Sequence, residues 1–335
     1  MPGVSVILPV RDSAPTLPAA LESLLDQTFA DFEVLVFDDG SRDESAAIVE
    51  RFARGDRRLR LLGGERVGLV RALERCATAA RSPLLARMDA DDISHPQRLE
   101  KQVALLEKDP ELGAVGCRVL CFPAAELRDG MRRYQRWLNE LITPADHERD
   151  MFVESPLCHP SALMRRESFD RAGGYLLGDW PEDYRFWLSM DSIGARLAKV
   201  PRVLFAWRDH ARRVTRTDPR CRRDRIEELK LSFLLKGPFA AGSAAAVWGA
   251  GPTGRGWRRR LEGAGVEVAA FVDVDPRKLG RRLGKAPVLS PDDLRSGSMP
   301  WHLLVAVGSP SARNRIRRFC GKLGWRERRD FTVVA

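Results

Sequence analysis

Short apolar runs alternate with amphipathic stretches over the first 120 residues: VSVILPV, EVLVF, LRLL, LLARM and AVGCRVL. Runs this short, rich in Val, Leu and Phe, mark buried strands, expected at Val4–Val10, Glu33–Phe37, Leu59–Leu62, Leu84–Met88 and Ala114–Leu120. Helices are expected between them, at 14–27, 43–54, 68–80 and 96–107. In the first of these, Leu17, Ala20, Leu21, Leu24 and Leu25 fall on one helical stripe. Ser94 is expected to cap the fourth, with Pro96 in its first turn. Strand–helix alternation predicts an α/β fold with a mainly parallel sheet, and such sheets bind ligands outside the carboxyl ends of their strands.

Five aspartates fall at those ends. Asp38 and Asp39 close FEVLVFDDG, and Asp89, Asp91 and Asp92 close PLLARMDADD. Carboxylates gathered in one crevice suit a hard divalent cation and a phosphorylated ligand. Asp92 also reads as a polar residue preceding the helix near Pro96.

Beyond residue 121 the alternation stops. Arg132–Ile142 reads as a helix, and EDYRFWLSM as a short helix after Pro181. Residues 211–236 are charged, then helical, and end at Gly237-Pro238, as a linking segment would. A second α/β unit follows, in which Gly249, Gly251 and Gly254 form a GxGxxG turn after a strand. Asp273 stands 19 residues beyond the last of these glycines, the spacing of a dinucleotide fingerprint in which an acid bonds a ribose hydroxyl. Pro252 removes one N–H from the turn, and about 100 residues make only half of a dinucleotide domain. NAD(P) or another nucleotide is therefore the lesser expectation here, since a fold does not establish a function. The unit resembles small Rossmann-like domains beside sugar-modifying enzymes, some of which serve docking or oligomer contacts, and that resemblance implies a homo-oligomer as one partner.

Charge is uneven. Residues 211–335 hold 27 Lys and Arg against 12 Asp and Glu, while residues 1–210 hold 29 against 34. A basic half suits an anionic membrane surface, with no specific nucleic acid expected. The plainer reading is a solvated Arg-rich surface, since only eight of the 56 basic residues are Lys. The six cysteines form no CxxC pair, which argues against zinc or a disulfide framework. No apolar run approaches the roughly 20 residues that cross a bilayer, and no secretory signal is visible. A cytoplasmic protein, peripheral to the inner face of the membrane, is expected.

Several segments occur together in order: VSVILPVRDSAPTLPAALESLLDQTFADFEVLVFDDGSRDES, RMDADDISHPQRLEKQ, WPEDYRFWL and WRDH. Through them residues 1–215 resemble family 2 glycosyltransferases of the GT-A fold, with 216–236 as a helical linker and 237–335 as a small Rossmann-like domain. The resemblance implies inverting transfer of a sugar from a nucleotide-sugar donor, UDP first, to a hydroxyl of a glycan or lipid-linked acceptor. It implies that Pro9, Val10 and Arg11 border the base and that Asp38 and Asp39 contact it; a carboxylate suits the N–H of uracil or thymine. Asp89-Ala90-Asp91 resembles the DxD motif. Asp91 would be the main ligand of Mg²⁺ or Mn²⁺, Asp89 would touch ribose or a metal-bound water, and His210 would be a third ligand. Arg208 would meet phosphate. Glu182-Asp183 resembles the ED motif, with Asp183 as the base for the acceptor hydroxyl and Glu182 orienting it. His159 and Trp180 would lie on the acceptor side. One departure stands in ERVGLVRALERCA, where Glu74 replaces an expected Asn, so Arg66 or Arg71 would supply charge to the diphosphate. The alternatives are a nucleotidyltransferase, whose Gly-rich loop LPVRDSAP lacks, an NAD-dependent oxidoreductase, and a non-catalytic sugar- or nucleotide-binding scaffold.

Overall fold

β1 (Val4–Val10) and β2 (Phe32–Asp38) are buried at every position, which is why both read as unbroken apolar runs. The computed structural model describes residues 2–296 and 300–335. By contacts it divides into two units, one of residues up to 148 plus 155–221, the other of 149–154 plus 222–335.

In the first unit β3 (Leu59–Gly63) extends the sheet beyond β2, and β4 (Leu84–Arg87) pairs with the other side of β1, all parallel. The crossovers are α1 (Leu17–Leu25), α2 (Ser45–Gly55) and α3 (Leu69–Ala79). The stripe on α1 is in the core: Leu17, Ala20, Leu21 and Leu24 are fully buried, each large side chain contributing about 1.5–3 kcal/mol. There follow β5 (Ile93–Ser94), α4 (Arg98–Lys108), β6 (Leu112–Phe122), α5 (Asp129–Glu140), α6 (Pro144–Asp150), β7 (Leu163–Arg165), α7 (Arg166–Arg171), α8 (Glu182–Ser192), β8 (Arg196–Arg208) and α9 (Val214–Thr217). The strand order is β3-β2-β1-β4-β7-β6-β8-β5. β7 runs antiparallel to β4 and β6, β8 runs parallel to β6, and β5 runs antiparallel to β8.

Ser94 does not cap α4. It lies in β5, and its hydroxyl accepts from Arg98 Nε at 2.8 Å and Gln27 Nε2 at 3.1 Å, so the helix starts later, at Arg98. The long β8 had no counterpart among the expected strands, because Lys199, Pro201 and Arg202 interrupt its apolar pattern.

The second unit holds α10 (Arg223–Leu234), β9 (Ala244–Trp248), α11 (Pro252–Gly263), β10 (Val268–Val272), β11 (Arg282–Leu283), β12 (Ala286–Leu289), β13 (Trp301–Val305), α12 (Pro310–Lys322) and β14 (Phe331–Val333). Its sheet runs β11-β12-β10-β9-β13-β14, parallel except for β11. The helical segment expected as a linker packs within this unit: Glu227 on α10 pairs with Arg260 on α11 at 2.9 Å. Residues 149–154 are tied in by Arg317 Nη2 to Asp150 Oδ1 at 2.5 Å and by Lys230 Nζ, which donates to the Val153 and Val334 carbonyls at 2.9 and 3.1 Å.

Candidate active site

Parallel register sets Val10 beside Asp38, and the Asp39 N–H donates to the Val10 carbonyl at 2.9 Å. Both carboxylates are buried. Asp38 Oδ1 accepts from the Ser41 hydroxyl at 2.5 Å. Asp39 Oδ1 accepts from the N–H groups of Val67 at 2.5 Å and Gly68 at 2.7 Å, holding the loop before α3. Gly40 turns at φ +68°, and a Cβ there would lie 3.0 Å from the Arg66 nitrogen, so this turn brings exposed Arg66 beside the pair. Pro9 and Val10 form a buried floor, and exposed Arg11 follows, 3.6 Å from Asp12.

The loop after β4 gathers the other three aspartates. Ligand oxygens of Asp89, Asp91 and Asp92 lie within 4.8 Å of one another. Asp91 Oδ2 is 3.0 Å from His210 Nε2. The end of β8 braces the loop: the Arg208 N–H donates to Asp92 Oδ1 and its Nε to the Asp91 carbonyl, each at 2.7 Å. Burial, then the Asp89 charge, raises the Asp91 carboxyl above its usual range, against the pull of His210. Burial, then Asp89 and Asp91, raises Asp92 well above its own. Asp92 is 1% exposed, and its Oδ2 has no hydrogen-bond partner among the described residues. Asp92 is thus no helix-flanking polar residue but the innermost of three crowded carboxylates. Such a set, with one buried oxygen unpartnered, fits a divalent cation. Arg208, expected at phosphate, has its Nε committed to this loop, and its guanidinium lies 4.4 Å over the Phe122 ring.

Glu182 and Asp183 open α8 directly after Pro181. Burial raises the Glu182 carboxyl, while its own N–H, Arg220 at 3.9 Å and Arg87 pull it back. Asp183 Oδ1 accepts the Tyr184 N–H at 2.7 Å. Arg87 connects the two acidic groups. It is 2% exposed, and its Nη2 lies 2.6 Å from Asp89 Oδ1. Burial opposes its charge, but Asp89, with Tyr175 and Glu182, keeps the guanidinium protonated, its pKa raised. Burial pushes the Tyr175 phenol up, against the Arg87 charge and with those of Glu182, Asp183 and Asp89.

His159, expected on the acceptor side, is instead enclosed. Its Nε2 is 2.7 Å from the Tyr175 hydroxyl, and burial, then the Arg87 charge, pushes its pKa well below the usual value. Trp180 is half-buried and packs on Gly178. Sequence reasoning passed over Arg87, Tyr175 and Arg220. Only Arg87 had a signal: it precedes Asp89 by two, and alternate residues of an extended chain share a face.

In the second unit Gly249 turns at φ +109°, and a Cβ on Gly254 would fall 1.7 Å from the Gly249 carbonyl oxygen, so this approach requires glycine. Asp273 Oδ2 accepts from the Ala250 N–H at 2.8 Å and Lys278 Nζ at 2.9 Å, and Oδ1 from the Asp275 N–H at 2.9 Å. The carboxylate expected to meet a ribose is already occupied by this loop.

The sequence profile described as Glycosyl transferase family 2 matches residues 5–173. EpsE of Bacillus subtilis (strain 168) is 31% identical over 62% of this chain and 73% of its own. The amylovoran biosynthesis glycosyltransferase AmsE of Erwinia amylovora is 30% identical over 58% of this chain and 71% of its own. Among solved structures, S. aureus TarS 1-349 in complex with UDP-GlcNAc superposes with a TM-score of 0.54 at 18% identity, over 69% of this chain and 66% of that one. The chain thus spans just under two thirds of that structure, and the likeness is one of fold. Among the described residues no helix is long and apolar enough to cross a membrane.

Proposed function

The chain belongs to glycosyl transferase family 2, and from that premise we propose that its first unit moves a sugar from a nucleotide-sugar donor to a hydroxyl of a glycan or lipid-linked acceptor. The observation that carries this reading is the cluster of Asp89, Asp91 and Asp92, whose Asp89 pairs with the buried Arg87 guanidinium, itself held charged in part by Glu182. The base of the donor lies over Pro9 and Val10 against Asp38 and Asp39, with Arg11 and Arg66 at the rim. A carboxylate beside the base suits a ring N–H donor such as that of uracil.

Asp91, with Asp89, Asp92 and His210, would hold Mg²⁺ or Mn²⁺, and a cation there would supply positive charge against the donor diphosphate. Asp183 takes the acceptor hydroxyl proton while that oxygen attacks the anomeric carbon on the face opposite the leaving group, which inverts the configuration. Glu182, Arg220 and Arg87 fix the position of α8 relative to the aspartate loop. Arg208 holds that loop, and Trp180 offers an apolar face to the acceptor sugar. His159 sets the Tyr175 ring from behind. AmsE, by its name, works in amylovoran biosynthesis, which supports a polymer-building role here. The basic residues beyond 210 suit an anionic lipid surface at the inner face of the membrane.

Thermal-shift measurements of the full chain with UDP-, GDP- and dTDP-sugars, with and without Mn²⁺, test this. A UDP-sugar should stabilise the protein only with Mn²⁺, by about 2.7 kcal/mol at a hundredfold excess over Kd. A response without metal overturns the cation site, and no response to any donor overturns the donor assignment.

A further inference from the structure

The second unit holds a cleft that the transfer reaction does not use. Its volume is about 550 Å³, and it opens at the carboxyl ends of β9, β10 and β13. β10 pairs with one side of β9 and β13 with the other, so connections depart in opposite directions there. Parallel sheets form ligand crevices at such points.

The walls are chemically sorted. Trp248, Ile316 and Phe319 make an apolar side. Val274 stands at the lip and is 71% exposed, an apolar side chain left for something to cover. The remaining lining includes the first turn of α11, whose Thr253 and Gly254 bring backbone N–H groups and the positive end of a twelve-residue helix. Arg315 lines the same cleft, exposed and without an acidic partner among the described residues. Lys278 offsets Asp273, so the acid in the cleft does not repel an anion.

Two of the lining glycines are forced neither by a positive φ nor by a close neighbour. Gly251 has φ −83°, open to any residue, and a Cβ there would meet no atom within 4 Å. A Cβ on Gly308 would likewise meet nothing. Gly249 and Gly254 differ, the one by its φ and the other by its contact with a carbonyl. The bareness of Gly251 and Gly308 leaves space in the cleft that a side chain could fill without a clash.

We propose that this cleft binds a nucleoside diphosphate. The planar base lies along Trp248, Phe319 and Val274, and the diphosphate meets the start of α11 and Arg315. One nucleotide fits better than two. The glycine turn serves the strand–helix–strand unit β9–α11–β10, with β12 and β11 beyond β10; on the other side of β9 the described residues hold β13 and β14, two strands where the second half of a dinucleotide-binding sheet has three. This second site is independent of the donor reading.

Titration calorimetry of the full chain in EDTA, where the cation-dependent donor site should be silent, provides the test. UDP, GDP, ADP, NAD⁺ and NADP⁺ are titrated separately. At least one diphosphate should bind, at least about tenfold more weakly to Gly251→Leu and to Arg315→Glu, and unchanged to Asp38→Ala and Asp91→Ala. Gly251→Leu should keep the parent melting temperature, and Gly308→Leu fills the cleft from another loop as a second check. The proposal is overturned if no diphosphate binds in EDTA, or if only NAD⁺ or NADP⁺ binds. It is equally overturned if binding survives the cleft variants but is lost in Asp38→Ala. Loss of the Mn²⁺-dependent donor response would sink the donor reading and leave this one standing.

Discussion

Two crevices lie at the carboxyl ends of parallel strands, one in each unit, and they handle acid in opposite ways. In the first, three aspartates crowd within 4.8 Å, two with raised pKa and one with a buried oxygen left unpartnered. In the second, Asp273 takes three donors, and although burial opposes its charge, the Asp275 N–H, Lys278 and the Ala250 N–H bring its pKa below the usual range. One sheet geometry therefore supports two chemistries. The first unit holds negative charge in reserve at a cost in stability; the second uses its carboxylate to fix a loop and presents N–H groups and a cation outward.

The sharpest way to break this contrast is Asp91→Ala. Mn²⁺-dependent donor stabilisation should disappear entirely, and retained stabilisation would show that the aspartate cluster is not the cation site. Next in size is Asp183→Asn, expected to lower kcat by about 10²–10⁴-fold while donor affinity holds; transfer at the parent rate would remove Asp183 from the base role.

Asp92→Asn and Asp273→Asn should shift stability in opposite directions. Between the ordinary carboxylate range and the raised Asp92 value, the folded state binds more protons than the unfolded, so stability falls as pH climbs through that window. Asn removes the penalty, and the metal-free protein should gain about 1 kcal/mol at pH 7.5 while losing its response to Mn²⁺. The Asp273 carboxylate stabilises the fold above the ordinary range, and that contribution is lost as pH falls through its lowered value. Asp273→Asn should cost about 1–2 kcal/mol at neutral pH and little in strong acid. Urea midpoints that move the same way in both variants would dissolve the contrast.

The smallest effect concerns one buried lysine in each unit. Burial lowers Lys199 to about 7 and Lys230 to about 8. The unfolded chain holds those protons up to about pH 10, so stability should rise with pH, from about 7 in the first unit and from about 8 in the second. Lys199→Met should flatten the rise between pH 7 and 8, and an unchanged slope there would count against the assignment.

The strand-end acids were readable because short polar motifs interrupt long apolar runs, and the strand on which each stands predicts where it projects. The fold of the first sheet near β1 was readable for the same reason. Asp92 was misjudged because a carboxylate just before a helix has an ordinary local explanation, and its crowding depends on β8, itself hidden by Pro201 and Lys199. Arg87 lay in plain view, but burial of a guanidinium depends on Asp89 and Glu182 arriving from two segments 93 residues apart in the chain. The enclosure of His159 rests on Tyr175 and Trp187, which no local pattern joins to it.

Six residues, 149–154, belong by contact to the second unit although the chain on either side belongs to the first. The two units are therefore not separable cassettes. A gene fragment ending at residue 221 would still encode Asp150, Phe152 and Val153 while deleting Arg317, Arg328 and Lys230, which meet them. A fragment beginning at 222 would lack one of its own threads. During synthesis those six residues leave the ribosome about seventy codons before the rest of their unit, and must wait. Grafting either unit onto another protein means carrying that thread along or redesigning the place it fills.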